Sequence, residues 1–234
     1  MILLYRYYKK KKIKAFFFIY SSALTNNPDL FELYRYFRIN YFKNINIFYD
    51  DFFSFIEQKK LDKFFSNQKK KINLWKVNYK YYSLNDIKFR ILRDDYLTDD
   101  QYKSIMLKLF KKYNFNYKKM IKKIFLSKNN INKLSSLGHE IGLHFHTHPT
   151  TLSKLNYKNQ FEGYKKNKQI LEKITNKKIF SMSHPSGSYN SNTLKILEKL
   201  KIKIGFKDNL LYKKKINISK FEIAREDVSL ILKK

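Results

Sequence analysis

The sequence predicts an α/β fold built on a parallel sheet, and two observations predict it. From about residue 130 onward, short apolar runs alternate with amphipathic stretches, the strand and helix alternation of parallel βα units. The N-terminal half instead spaces aromatic residues at the helical period, which reads as a helical block set into that fold. A length of 234 residues suits one domain with a good-sized core.

Taken in order, residues 3–12 (LLYRYYKKKK) read as the end of an amphipathic helix, and IKAFFFIY as a buried strand. The run AFFFIYSSAL is too short to span a bilayer and no small-residue cleavage site closes it, so neither a transmembrane segment nor a signal segment is expected. Residues 28–86 form the helical insertion, with LFELYRYFRINYF and IFYDDFFSFIEQ at helical spacing and Pro28 near a helix start. TDDQYKSIMLKLFKKY, at 98–113, takes Thr98 as N-cap and puts Ile105, Met106, Leu109 and Phe110 on one side. LSKNNINKLSSLG reads as a short helix closed by Gly138, and EIGLHF as the strand after it. NQFEGYKKNKQILEKITN is then helical, KIFSMSH a strand, SNTLKILEKLK a helix capped at Ser191 or Asn192, and IKIGF a strand.

The formal net charge of +31 suggests polyanions as partners. Only six of the basic residues are arginines, and the lysines spread along the whole chain as AT-rich coding would spread them. No specific nucleic acid is therefore expected. The absence of cysteine excludes disulfides, thiolate zinc sites and cysteine nucleophiles, and fits a reducing, cytoplasmic setting.

All five histidines lie between positions 139 and 184. Four are in GHEIGLHFHTHPTT, and His184 follows in SMSHPSGSYN. Both stretches fall at the C-terminal end of an expected strand, where parallel α/β folds carry their functional side chains. His144 and His148 converge on one metal if the chain turns after the strand; if it stays extended, His144, His146 and His148 share a face instead. Neutral imidazoles suit zinc, or alternatively cobalt or manganese, with a position left open for water. His139, ahead of the strand, reads as structural.

GHEIGLHFHTHP resembles the second motif of the polysaccharide deacetylases, the NodB-like carbohydrate esterases, and SMSHPSGSYN with its following helix resembles their third. FEIAREDV resembles a terminal segment of the shorter members. The resemblance is best over residues 130–234. It implies a distorted (β/α) barrel and a metal-dependent hydrolase that removes acetyl groups from a sugar or polysaccharide, an acetylated glycan being the substrate partner and bacterial surface-polysaccharide metabolism the setting. It assigns the metal to His144 and His148. Substrate binding falls to His146, His184, Pro185, Ser186, Gly187 and Tyr189, with a backbone N–H of the Pro185–Gly187 loop as an oxyanion donor.

The sequence also departs from that pattern. The family's first motif, a strand ending in Asp-Asp-Gly that supplies the base and the third ligand, has no match, so the base is expected upstream of Met1 and the first strand of the barrel is expected to be missing. Asp50-Asp51, Asp94-Asp95 and Asp99-Asp100 follow the second strand and lack the glycine, which makes them decoys. Ser183 stands where the family has arginine, and Ser186 where it has an aromatic residue. No histidine follows His184, which leaves His184 as a possible proton carrier, and Arg225 and Asp227 are expected to pair at the barrel end. The alternative reading is an N-terminally truncated remnant that keeps the fold and weak metal or sugar binding without catalysis. An open sheet edge would then favour oligomers.

Overall fold

A computed structural model describes residues 13–208 and 219–226. The helix expected at 3–12 and Asp227 lie outside the described residues. The described chain divides into two compact units, one holding residues 13–29 and those from Phe125 on, the other spanning Leu30–Ile124.

The first unit carries a five-stranded, all-parallel sheet: β1 (Phe16–Ile19), β2 (Glu140–Leu143), β3 (Ser181–Ser183), β4 (Ile204–Asp208) and β5 (Ile223–Arg225). Spatial order equals chain order, so the sheet winds one way, and among the described residues it does not close. It curls all the same. Strands β1 and β4 would stand about 14 Å apart in a flat sheet, yet the rings of Phe18 and Phe206 lie 5.5 Å apart and the Arg225 guanidinium sits 6.0 Å from the Phe18 ring. This is the wall of an open, distorted barrel.

Alternation along the strands sets its two faces. Ile141, Leu143 and Met182 point outward into a core with Leu171, Ile196 and Leu197, all buried beneath helices. Those helices are α8 (Lys128–Ser136), α9 (Tyr157–Thr175) and α10 (Ser191–Lys199). Inside the curl Gly142 is needed, because a Cβ there would stand 2.6 Å from the Phe18 ring and 2.7 Å from the Ser181 hydroxyl. The helix starts are set by side chains that accept orphan amides. The cap of α10 is Asn190, not Ser191 or Asn192: its carboxamide accepts from the Thr193 amide while the Thr193 hydroxyl takes the Asn190 amide, a reciprocal box.

The helical unit runs from Leu30 to Ile124, beyond the expected 28–86. Its helices are α1 (Phe31–Asn40), α2 (Ile45–Ser54), α3 (Gln58–Asn67), α4 (Lys69–Asn78), α5 (Leu84–Asp95), α6 (Asp99–Lys112) and α7 (Tyr117–Ile124). Helix α6 starts at Thr98 with a capping box to Gln101 and buries Ile105, Met106, Leu109 and Phe110, as the spacing predicts. The core is aromatic, with Phe37, Phe48, Phe52 and Phe89 packed edge to face. Asp86 is buried within the unit, and burial of a carboxylate demands partners. It takes hydrogen bonds from Arg38 (2.5 Å), Tyr49 (2.8 Å) and Arg90 (3.0 Å). Burial, with the neighbouring Asp86 carboxylate, holds the Tyr49 phenol up at about 12.

Candidate metal centre

Strand β2 ends at Leu143, and the chain turns at once. Phe145 adopts φ +65°, and its buried ring packs edge-on against Tyr164 at 4.9 Å. The turn reverses the loop, so His144 and His148 face each other with Nε2 to Nε2 3.0 Å apart. Of the two geometries the spacing allows, the structure takes the turned one.

The tautomer of His144 follows from its other nitrogen. Nδ1 lies 2.8 Å from the Ser183 carbonyl oxygen, which can only accept, so Nδ1 carries the proton and Nε2 presents a lone pair. Burial pushes the His144 pKa down to about 3, helped by His148 and the Arg225 guanidinium, so the ring is neutral at ordinary pH. A carbonyl holding the far nitrogen of a histidine is the usual support of a metal-ligating imidazole. Two nitrogens on one tetrahedral zinc stand about 3.3 Å apart, from Zn–N bonds of about 2.0–2.1 Å. The pair therefore fits two ligand positions of one ion. The third position is different: no group of three His, Cys, Asp or Glu side chains among the described residues is placed to share an ion.

Long-range hydrogen bonds fix the loop. The Asn167 side chain, fully buried on α9, accepts from the His144 amide and donates to the Ile19 carbonyl, each at 3.0 Å. The Asp29 carboxylate accepts from the His148 amide at 3.1 Å, and the Asp29 amide donates to the Ser22 hydroxyl at 3.1 Å. Ser21 Oγ lies 2.9 Å from Nδ1 of His146, and the Ser22 amide donates to the His146 carbonyl at 2.7 Å. His146 thus belongs to the wall between the loop and the 3-10 turn Ser21–Leu24, with its pKa lowered by burial. His139 accepts from the Ala15 amide at 3.3 Å, a structural contact at the strand start.

The second loop follows β3. His184 is 1% exposed and stacks on Tyr189 with ring centroids 4.2 Å apart. Its Nε2–H donates to the Phe221 carbonyl at 2.9 Å, and its Nδ1 has no hydrogen-bond partner among the described residues. Burial pushes its pKa down to about 4, so at neutral pH the ring is the neutral imidazole, its single proton on Nε2, and not the imidazolium acid. The Tyr189 hydroxyl donates to Glu222 at 2.7 Å. Pro185 is buried, while Ser186 (φ 52°) and Gly187 (φ 67°) make a left-handed turn. A Cβ on Gly187 would stand 2.2 Å from an Asp208 carboxylate oxygen, so only glycine fits that turn. The Gly187 and Ser188 amides donate to the His184 and Pro185 carbonyls, whereas no such bond takes the Ser186 amide among the described residues.

All three acidic pairs lie in the helical unit. Asp51 takes Lys112 and Tyr113, Asp94 takes Arg93, Asp95 takes Lys71, and Asp99 with Asp100 occupies the first turn of α6. Arg225 ends β5, and its expected partner Asp227 lies outside the described residues. Sequence reasoning missed Ser21, Asp29 and Asn167. Pro28-Asp29 reads only as a helix start, and nothing local marks Asn167 within α9.

A search of curated proteins returned no match. Among solved structures, the chain is similar to the Streptococcus pyogenes deacetylase PplD in complex with acetate, at 20% identity and TM-score 0.40, covering 59% of this chain and 70% of that one. It is also similar to the BpsB deacetylase domain of Bordetella bronchiseptica, at 14% identity and TM-score 0.37, covering 44% and 49%. A third is a CE4 family pseudoenzyme from Bacillus anthracis, at 19% identity and TM-score 0.32, covering 42% and 40%. The chain thus spans less than half the length of the latter two. Residues 94–205, a stretch that holds both histidine loops, match the model of the polysaccharide deacetylase family.

Proposed function

We propose that the protein is a metal-dependent deacetylase that removes acetyl groups from a sugar or polysaccharide. The observation that carries the reading is the His144–His148 pair, with nitrogens 3.0 Å apart and the far nitrogen of His144 held by a backbone carbonyl. His144 and His148 hold the ion, zinc by preference or else cobalt or manganese. When bound, such an ion polarises the acetyl carbonyl and makes its water acidic near neutral pH. Asn167 and Asp29 keep the two rings aimed. The Ser186 amide serves as the oxyanion donor of the second loop, and Tyr189 and His146 line the sugar site. His184 braces Tyr189 and stays a neutral imidazole at neutral pH, so it does not serve as the general acid.

A second reading is a relative that keeps the fold and binds metal or sugar without turnover. It is favoured by the want of a third metal-holding side chain near the pair among the described residues. Acetate release from N-acetylated oligosaccharides under zinc titration separates the two. Release that disappears in H144A/H148A supports the deacetylase. No release at saturating zinc, with zinc still bound, supports the silent relative.

A further inference from the structure

Helix α4 shows an outer face that the helical core does not use. Ile72 is buried, and Trp75 half-buried, on the inner side. Opposite them stand Leu74 and Val77, 58% and 68% exposed, the two most exposed large apolar side chains among the described residues. Lys70, Leu74 and Val77 share the i, i+4, i+7 spacing of one helix face. Just beyond the helix, Tyr81 and Leu84 are also exposed. A run of ring contacts ties that turn to the helix end: Trp75 to Tyr79 at 5.1 Å, Tyr79 to Tyr82 at 5.3 Å, and Tyr82 to Tyr81 at 4.6 Å.

The charge of this segment is one-sided. Residues 63–85 contain six lysines and no aspartate or glutamate. Lys71 is paired with Asp95, but no ion pair among the described residues takes Lys69, Lys70, Lys76 or Lys80. Exposed aliphatic side chains ringed by unpaired ammonium groups, with the exposed Tyr81 just beyond the helix, match a membrane interface in three ways at once. The aliphatics enter the acyl boundary, the lysines meet anionic headgroups, and the aromatic residues favour the level between. A nucleic-acid surface would use the lysines and leave Leu74 and Val77 without a role.

We infer that the outer face of α4 and the turn after it form a docking surface for an anionic lipid bilayer. No helix among the described residues is long and apolar enough to cross a membrane, so the contact is interfacial. The inference is independent of the histidine centre, since all its residues lie in the 30–124 unit.

Because a net charge of +31 draws the whole chain to any anionic surface, the deciding variant leaves charge unchanged. The full chain is floated with phosphatidylcholine vesicles and with vesicles of equal phosphatidylcholine and phosphatidylglycerol. L74S/V77S is compared with a control, I39S/I47S, which removes two other exposed aliphatics. The expected result is binding to the anionic vesicles alone, about ten-fold weaker in L74S/V77S and unchanged in I39S/I47S. Absence of vesicle binding, or equal binding by all three proteins, overturns the inference. An equal loss in the control also overturns it. So does self-association without lipid that L74S/V77S abolishes, since a second copy then covers the face. Duplex DNA binding that falls in L74S/V77S while vesicle binding persists assigns the face to nucleic acid and overturns it as well.

Discussion

Nε2 of His144 faces Nε2 of His148 across 3.0 Å, and the two rings are brought there by one left-handed residue, Phe145, between them. Burial keeps His144 neutral in the folded chain, with its pKa down at about 3 from an ordinary 6.5, and His184 likewise at about 4. The unfolded chain takes up those protons between pH 6.5 and 3 while the folded chain does not. The stability this contributes is present in full above pH 6.5 and declines as pH falls toward 3–4. The slope is up to about 1.4 kcal/mol per pH unit for each histidine. Urea midpoints in chelator should therefore be lower at pH 5 than at pH 7.5, with a shallower dependence in H144Q. Equal midpoints, or a higher one at pH 5, contradict this.

Asn167 joins β1 to the His144–His148 loop through its two hydrogen bonds. Asn167→Ala leaves a buried carbonyl and a buried amide unpaired, a loss of about 2–4 kcal/mol in chemical denaturation. A loss under 0.5 kcal/mol would show that the clamp is dispensable.

Gly163 lies in α9, where alanine is ordinarily the better helix former by about 1 kcal/mol. Here its Cβ would stand 2.0 Å from the Phe145 ring, which is buried and held by Tyr164. Overpacking wins, and Gly163→Ala should destabilise by about 1–3 kcal/mol and weaken zinc binding through the displaced turn. A stabilised variant would mean the ring can move aside.

The Tyr164 hydroxyl is fully buried and has no hydrogen-bond partner among the described residues. Tyr164→Phe removes an unmet desolvation cost and keeps the ring, so a gain of about 1 kcal/mol is expected in the same assay. A loss of that size would reveal a partner for the hydroxyl.

Much of this was legible in the sequence because it is local. The Thr98 cap, the buried side of α6 and the strand before His144 follow from spacing, as does the possibility that His144 and His148 converge. The α10 cap lies one or two residues before the expected Ser191 or Asn192, because Asn190, Ser191 and Asn192 are all good caps and only the reciprocal bond to Thr193 chooses. The supports of the loop were illegible for another reason. Asp29 reaches His148 across 119 positions, Ser21 reaches His146 across 125, and Asn167 reaches Ile19 across 148. Such contacts follow from the curl of the sheet and leave no periodic trace.

Calorimetric titration of zinc into the chelator-treated chain, with H144A/H148A alongside, decides whether His144 and His148 hold a metal ion. One equivalent is expected to bind per wild-type chain and none at that affinity in the variant. Unchanged stoichiometry and affinity in the variant would contradict it.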